Sequence, residues 1–254
     1  NHPRFDIHIG KNSKITILEH YIGLTNVSYL TNAVSQFNLA NNSQLSHIRL
    51  QEEDDASHHI GFTRYNIEAD SFLKSSFITN GAVLCRNDIK INFTAQGSHA
   101  QINGLSVTKD NQHHDKHIIV NHSNSECQSD QLFKFVLSDN ASGVFNGKVV
   151  VGEDTKSTNA NQSNKNLVLS PSAVMNANPQ LEIYAEDVKC SHGSTTGQID
   201  AEALFYLRSR GLSYNEANRL ILKGFVSDIL EKINNKEIKL YINDAVSKKI
   251  ESML

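Results

Sequence analysis

From the first residue to about residue 198, apolar and polar positions alternate in short segments broken by Asn, Ser, Gly and Asp. Phe5, Ile7 and Ile9 follow this period of two, as do Ile15 and Ile17, then Ile89, Ile91 and Phe93, then Leu181 and Ile183. A period of two is what a half-buried strand requires, so this stretch is expected to be a β domain. A sandwich, a barrel and a solenoid all satisfy the pattern. Beyond residue 198 the period lengthens. Asp200 is placed to cap a helix carrying Leu204 and Leu207, with Arg208 and Arg210 near its end and Gly211 just past it. Ser213 and Glu216 have capping-box spacing, and Ala217, Leu220, Ile221, Phe225 and Ile229 supply an apolar stripe for a second helix. A third runs from about Lys236 to Ile250, with Ile238, Ile242, Val246 and Ile250 along one side. The expected organisation is a β core over 1–198 and a small helical domain over 199–254.

A repeat bears on the β architecture. The segment Ala100–Val107 resembles Ser142–Val151 in its apolar-Asn-Gly core, and the two Asn-Gly pairs lie 43 residues apart. With roughly 20 residues per coil that spacing is two turns of a parallel β-helix, whose coils bury their faces by stacking. Two ordinary hairpins account for the pairs equally well. Asn is abundant throughout, which suits stacked turns, because Asn tolerates left-handed backbone and its amide can bond to the neighbouring coil.

Composition narrows the function. Lys plus Arg number 24 against 27 Asp plus Glu, a net charge of -3 that no acidic or basic tail compensates, so a general nucleic-acid binder is not expected. No apolar run approaches the roughly 20 residues that cross a bilayer, no signal peptide opens the chain, and a soluble, cytoplasmic protein is expected. The chain opens on Asn1 instead of Met, from which a trimmed upstream segment is expected. Cys85, Cys127 and Cys190 are odd in number and far apart, which disfavours a disulfide framework or a zinc ribbon. P-loop, dinucleotide-binding and serine-hydrolase motifs are missing.

Three local groups offer chemistry. His113, His114, His117 and His122, with Asp115 among them, have spacings that would allow a metal, although hydrogen-bonded structural histidines are the plainer reading. The acid run Glu52, Glu53, Asp54 and Asp55 could serve a glycosidase, but four successive acids are not expected to face one cleft, and a solvated turn is the better reading. Cys190 and His192 stand two apart, so on a strand they project from the same face, beside a bend expected between Ile183 and Val188. One thiol and one imidazole make half a ligand set, and a partner would have to supply the rest. On the residues alone, a small buried cysteine and a hydrogen-bonded turn histidine are the plainer account.

Pro179-Gln180-Leu181-Glu182-Ile183-Tyr184-Ala185-Glu186-Asp187-Val188-Lys189-Cys190-Ser191-His192-Gly193, then Gly197, Asp200 and the run Leu204 to Ser213, resemble the SufB/SufD family of iron–sulfur cluster assembly subunits. The likeness is to its SufD branch, since the SufB branch has a His-Glu-Ala run where Cys190 to Gly193 stand. It continues upstream through Gln112 to Asp115, His122, Cys127, Gly143 to Lys148 and Asn164 to Leu167. The match covers at least residues 100 to 230. Phe135 departs from it, standing where the family pattern places a Gly in a local turn.

The resemblance implies a mainly β protein, a right-handed parallel β-helix followed by a C-terminal helical domain, with the family's N-terminal helical segment outside this chain. It also implies a non-catalytic scaffold that pairs with SufB through the β-helix cores and docks the SufC ATPase through the C-terminal helices. His192, and with it Cys190, are the implied ligands for a nascent cluster shared with SufB. Leu204, Phe205, Tyr206, Leu207, Arg208, Arg210 and Gly211 are the implied SufC contact, whose ordinary role is packing onto the β-helix end. No cofactor is expected to bind tightly to this chain alone. The cluster would be transient, and a reduced flavin belongs to the family's complex without a fingerprint here. Without SufB the same face would make a homodimer. The competing expectation is a β-helix polysaccharide lyase or hydrolase, which would carry acids and bases converging in one groove.

Overall fold

The computed structural model describes residues 1–254. Fourteen strands come first: β1 (Arg4–Ile9), β2 (Lys14–Ile22), β3 (Leu30–Leu39), β4 (Gln44–Glu52), β5 (His58–Ile67), β6 (Phe72–Thr79) and β7 (Leu84–Phe93). They continue with β8 (His99–Thr108), β9 (His113–His122), β10 (Gln128–Leu137), β11 (Ser142–Val151), β12 (Thr158–Val168), β13 (Val174–Ile183) and β14 (Val188–Gly197). Odd strands form one seven-stranded parallel sheet in chain order, and even strands form the other. Each strand therefore pairs with the strand two places on, and the chain winds as a flattened parallel β-helix.

The coil is longer than the 43-residue spacing of the Asn-Gly pairs suggests. Leu84 pairs with His113 and His113 with Ser142, a step of 29 residues, because each turn carries two ten-residue strands and two corners. Asn103 therefore lies on β8 in the even sheet and Asn146 on β11 in the odd sheet, and the two never stack. What repeats there is the strand pattern.

Alternation sorts side chains between the lumen and the outside. Phe37, Tyr65, Ile91, Phe133, Phe145 and Val149 fill a core cluster of 25 buried residues. Phe135 also lies in it, in mid-strand, so this departure from the family pattern falls in no turn. Polar positions are satisfied along the stacking axis. On the odd sheet Asn66 donates to Asn38 at 2.8 Å, Asn92 to Asn66 at 2.9 Å and Asn121 to Asn92 at 2.9 Å. The Asn ladder thus runs on strands as well as at corners. One corner repeats a left-handed residue in successive coils, at Asn12, Asn42, Asp70, Gly97, Glu126 and Ser157. Each donates its N–H to a carbonyl of the next coil, which offsets the roughly 1–2 kcal/mol that this conformation costs a residue with a Cβ.

Three helices follow: α1 (Ala201–Ser209), α2 (Tyr214–Leu230) and α3 (Lys236–Glu251). Asp200 caps α1 through the N–H groups of Glu202 and Ala203, and Ser213 with Glu216 closes the capping box of α2. Gly211 has a φ of 97°, a value that favours glycine. The buried side of α2 is Ala217, Asn218, Leu222, Val226, Ile229 and Leu230: Ala217 and Ile229 are buried as expected, Ile221 and Phe225 are half-buried, and Leu220 faces solvent. These helices do not close the β-helix end. Leu222, Val226 and Ile229 of α2 and Ile242, Val246 and Ile250 of α3 pack on Ile48, Ile78, Leu105, Val107 and Val136, on the outer face of the even sheet. That face is apolar over several strands and needs covering, which determines where the helices go.

Lys134 pins α2 to the sheet. It is buried on β10, and its ammonium donates to the Phe225 carbonyl at 2.6 Å and to Asp228 at 2.7 Å, over the Phe225 ring. Lys134→Ala is expected to cost about 1.5–3 kcal/mol, because charge-assisted bonds are lost while the half-exposed Asp228 rehydrates. Hydrogen exchange should show α2 opening before the strands. Unchanged protection in α2 would remove Lys134 as its anchor.

Candidate functional site

The last coil is open. β13 pairs only with β11 and β14 only with β12, so both end on free edges, and Val174, Ile183 and Tyr184 are exposed beside them. An unpaired edge carries a row of free backbone donors and acceptors suited to pairing with another chain. The bend expected between Ile183 and Val188 is the corner that joins these two strands.

Cys190 and His192 sit on β14, in register with Ala160 and Gln162 of β12. Cys190 is half-buried and packs against the lumen core, which fixes its face of the strand as the inner one. His192, two residues on, shares that face but is exposed, because no further coil stacks above it. The two residues therefore stand at the mouth of the lumen. Burial pushes the Cys190 thiol up, so it rests protonated, and a thiolate there would need a bound metal to displace the proton. No three His, Cys, Asp or Glu side chains converge anywhere in the chain to hold a metal ion.

α1 offers a second surface. None of its residues is buried, and Phe205 and Tyr206 are 75% and 57% exposed, with the Arg210 guanidinium over the Tyr206 ring and that of Arg208 over Tyr214. Leu204 and Leu207 are half-buried. The segment thus has two sides, Leu204 and Leu207 turned inward and Phe205 and Tyr206 outward.

The histidines of β9 are dispersed by strand alternation. His114 is buried and bonds the Gly81 carbonyl at 2.9 Å, His122 is buried against the Ser129 hydroxyl at 2.8 Å, His113 meets the Ser142 hydroxyl, and His117 pairs with Asp115. The acid run differs from its expected form. All four residues border one cavity beneath α3, together with Lys109, Lys248 and Lys249, and Glu53 is buried instead of solvated. Glu52 is held by His20 and Glu53 by His59 and Thr31, while Asp54 accepts from the backbone of Asn26 and Ala56 and Asp55 meets Gln112 and Lys249. Each carboxylate is engaged by its own partners, unlike an acid and base held across a glycosidic bond.

Sequence reasoning missed a charged network inside the lumen. Glu19, His47, Arg49, Glu53, His59 and Lys116 are all buried, with Arg49 on Glu19 at 3.2 Å and His47 on the Tyr65 hydroxyl at 2.5 Å. Burial opposes ionisation of Glu19, yet the His47 ring and the Arg49 guanidinium outweigh it and lower the carboxyl to about 2. Burial brings the Lys116 ammonium down to about 8. The available signal was alternation: Ile17, Glu19 and Tyr21 share a face, as do Leu45, His47 and Arg49.

Comparison with known proteins bears on the same face. Residues 1–225 match the family described as SUF system FeS cluster assembly, SufBD core domain. The chain is 35% identical to the iron-sulfur cluster assembly protein SufD of Escherichia coli over 94% of its length and 56% of that protein. It is 33% identical to an iron-sulfur cluster assembly SufBD family protein of Synechocystis, over 96% of its length and 56% of the relative. It is 31% identical to the SufD of Plasmodium berghei, over 93% of its length and 18% of the relative. The chain thus spans little more than half of the first two relatives.

Proposed function

Since the chain belongs to the SufBD core family of the SUF iron–sulfur cluster assembly system, we propose that it acts in cluster assembly as a non-catalytic scaffold of the SufD type. The single observation that carries this reading is the position of His192, exposed on an edge strand, with Cys190 beside it, at the open mouth of the solenoid. A ligand placed there reaches a neighbouring chain and falls short of a full coordination sphere by itself. SufB would pair along the free edges of β13 and β14 and supply the remaining ligands, principally thiolate. In its absence a second copy of this chain would occupy those edges.

The exposed α1 face, with Phe205 and Tyr206 flanked by Arg208 and Arg210, would dock the SufC ATPase. α1 follows β14 after three residues, Gln198 to Asp200. Closure of two SufC subunits on ATP would therefore pull next to the cluster edge and bias the SufB–SufD interface between two states. No helix is long and apolar enough to cross a membrane.

The test is co-expression of the full subunit with SufB and SufC. His192→Ala is expected to leave the complex intact and to lower its iron and sulfide content several-fold, with Cys190→Ala having the smaller effect because that thiol rests protonated. Full cluster content in the His192→Ala complex would remove the residue from the site.

A further inference from the structure

Beneath His192 lies a buried amide with one polar atom unused. Gln162, on β12, is 1% exposed and stands in register directly under His192. Its Nε2 donates to Gln131 Oε1 of the preceding coil at 3.2 Å, and its Oε1 is buried without a partner. The sense of this bond is shared by the other stacked amides: Asn42 donates to Asn12, Asn66 to Asn38, Asn92 to Asn66 and Asn121 to Asn92. Each of these four amides gives its N–H to the coil before it and turns its oxygen to the coil after it, and in the same sense the oxygen of Gln162 calls for a donor on β14.

Two pairs of β14 already follow this rule: Ser191 donates its hydroxyl to Asn161 and Ser194 to Asn164, each across its own register pair, whereas Asn166 departs from it by donating its amide to the Thr196 hydroxyl. Cys190 stands over Ala160, which offers no side-chain partner. His192 over Gln162 is the remaining inward pair, and an imidazole has the ring N–H that a lone amide oxygen lacks. Gln162 itself is held in place: an added Cβ on Gly147, across the lumen, would lie 2.1 Å from Gln162 Nε2, so the glycine makes the room the amide occupies.

We propose that Gln162 is the positioning residue for His192, accepting a hydrogen bond from one ring N–H through its Oε1 and thereby fixing which nitrogen keeps a free lone pair for the cluster. Leaving a buried acceptor unpaired is costly, and satisfying it biases the tautomer once the ring turns inward. Histidine ligands are commonly oriented in this way by a partner on the other nitrogen. This inference rests on His192 being the ligand, but its test does not.

The test is ring-nitrogen NMR of this chain labelled with [15N]histidine, at a pH where the imidazole is neutral, with His192→Gln to assign the signal. The expected result is one dominant tautomer for His192 and a ring N–H slowed in exchange. Gln162→Leu should abolish both, and Gln162→Glu, which keeps an acceptor, should retain them. In the complex with SufB and SufC, Gln162→Leu should lower cluster content about tenfold, the lower end of what such supporting partners contribute. A native His192 with mixed tautomers and a freely exchanging ring overturns the proposal even if Gln162→Leu fails to fold, as does a folded Gln162→Leu that leaves both signals unchanged. If His192→Ala keeps full cluster content while the tautomer responds to Gln162, the assembly role of His192 fails and the hydrogen bond stands.

Discussion

Acidification from about pH 7 to about pH 5 is expected to remove several kcal/mol of stability from this chain. Four fully enclosed histidines, His47, His59, His114 and His122, are held neutral because burial lowers their proton affinity below the ordinary 6.5. For His122 the value falls to about 4. The unfolded chain binds protons at these rings from about pH 6.5 downward, whereas the folded chain does not, so stability is full above that pH and declines through it. His122 alone accounts for about 2 kcal/mol by pH 5 and about 3 kcal/mol once the folded value is passed. Glu19 acts lower on the scale: with its carboxyl lowered from 4.5 to about 2, its contribution is present above 4.5 and is lost as pH falls towards 2. The check is a series of urea midpoints against pH. Equal midpoints at pH 7 and pH 5 would contradict it, and His122→Gln should flatten the slope by up to one proton.

Arg49→Met is expected to destabilise the fold by about 3–5 kcal/mol, the range for removing one member of a buried ion pair. Arg49 is 2% exposed and is the principal cation for Glu19, since His47 is neutral at physiological pH. It also donates to the hydroxyls of Thr63 and Tyr21 and to the Asn87 carbonyl oxygen, so its loss strands several acceptors in the lumen. The pair itself contributes far less than this penalty, because both charges are desolvated on folding. Glu19→Gln combined with Arg49→Met should therefore recover a large part of the loss. Denaturation midpoints of the two single variants and the double variant measure this coupling. Additive losses would show that the two side chains do not act as a pair.

Both expectations concern charged or titratable side chains that alternation places on an inner face but whose residue types read as surface. His47, Arg49 and Lys116 look like surface residues in sequence, and only the winding of successive coils around a common lumen encloses them. The Cys190–His192 pair was legible as a same-face pair, because strand alternation is local. Its place at an open mouth was not, since that depends on β14 being the last strand of its sheet. Gln162 was silent in sequence: nothing near it along the chain indicates that it stacks on Gln131 and lies beneath His192, 31 residues before and 30 after. The Glu52–Asp55 run repeats the misreading of His47 and Arg49, for a cluster of charges read as solvated places one buried carboxylate against His59.

By itself the sequence determined what depends on near neighbours: the strand period up to residue 198, the Asp200 and Ser213 caps, the glycine after α1 and the apolar side of α3. The tertiary structure alone decided the coil length, the covering of the even sheet by α2 and α3, the buried charges and the open end at His192. These follow from stacking, in which residues about 30 positions apart become neighbours. The free energy of that arrangement lies in which faces exclude water together, a property of several coils at once and of no single segment.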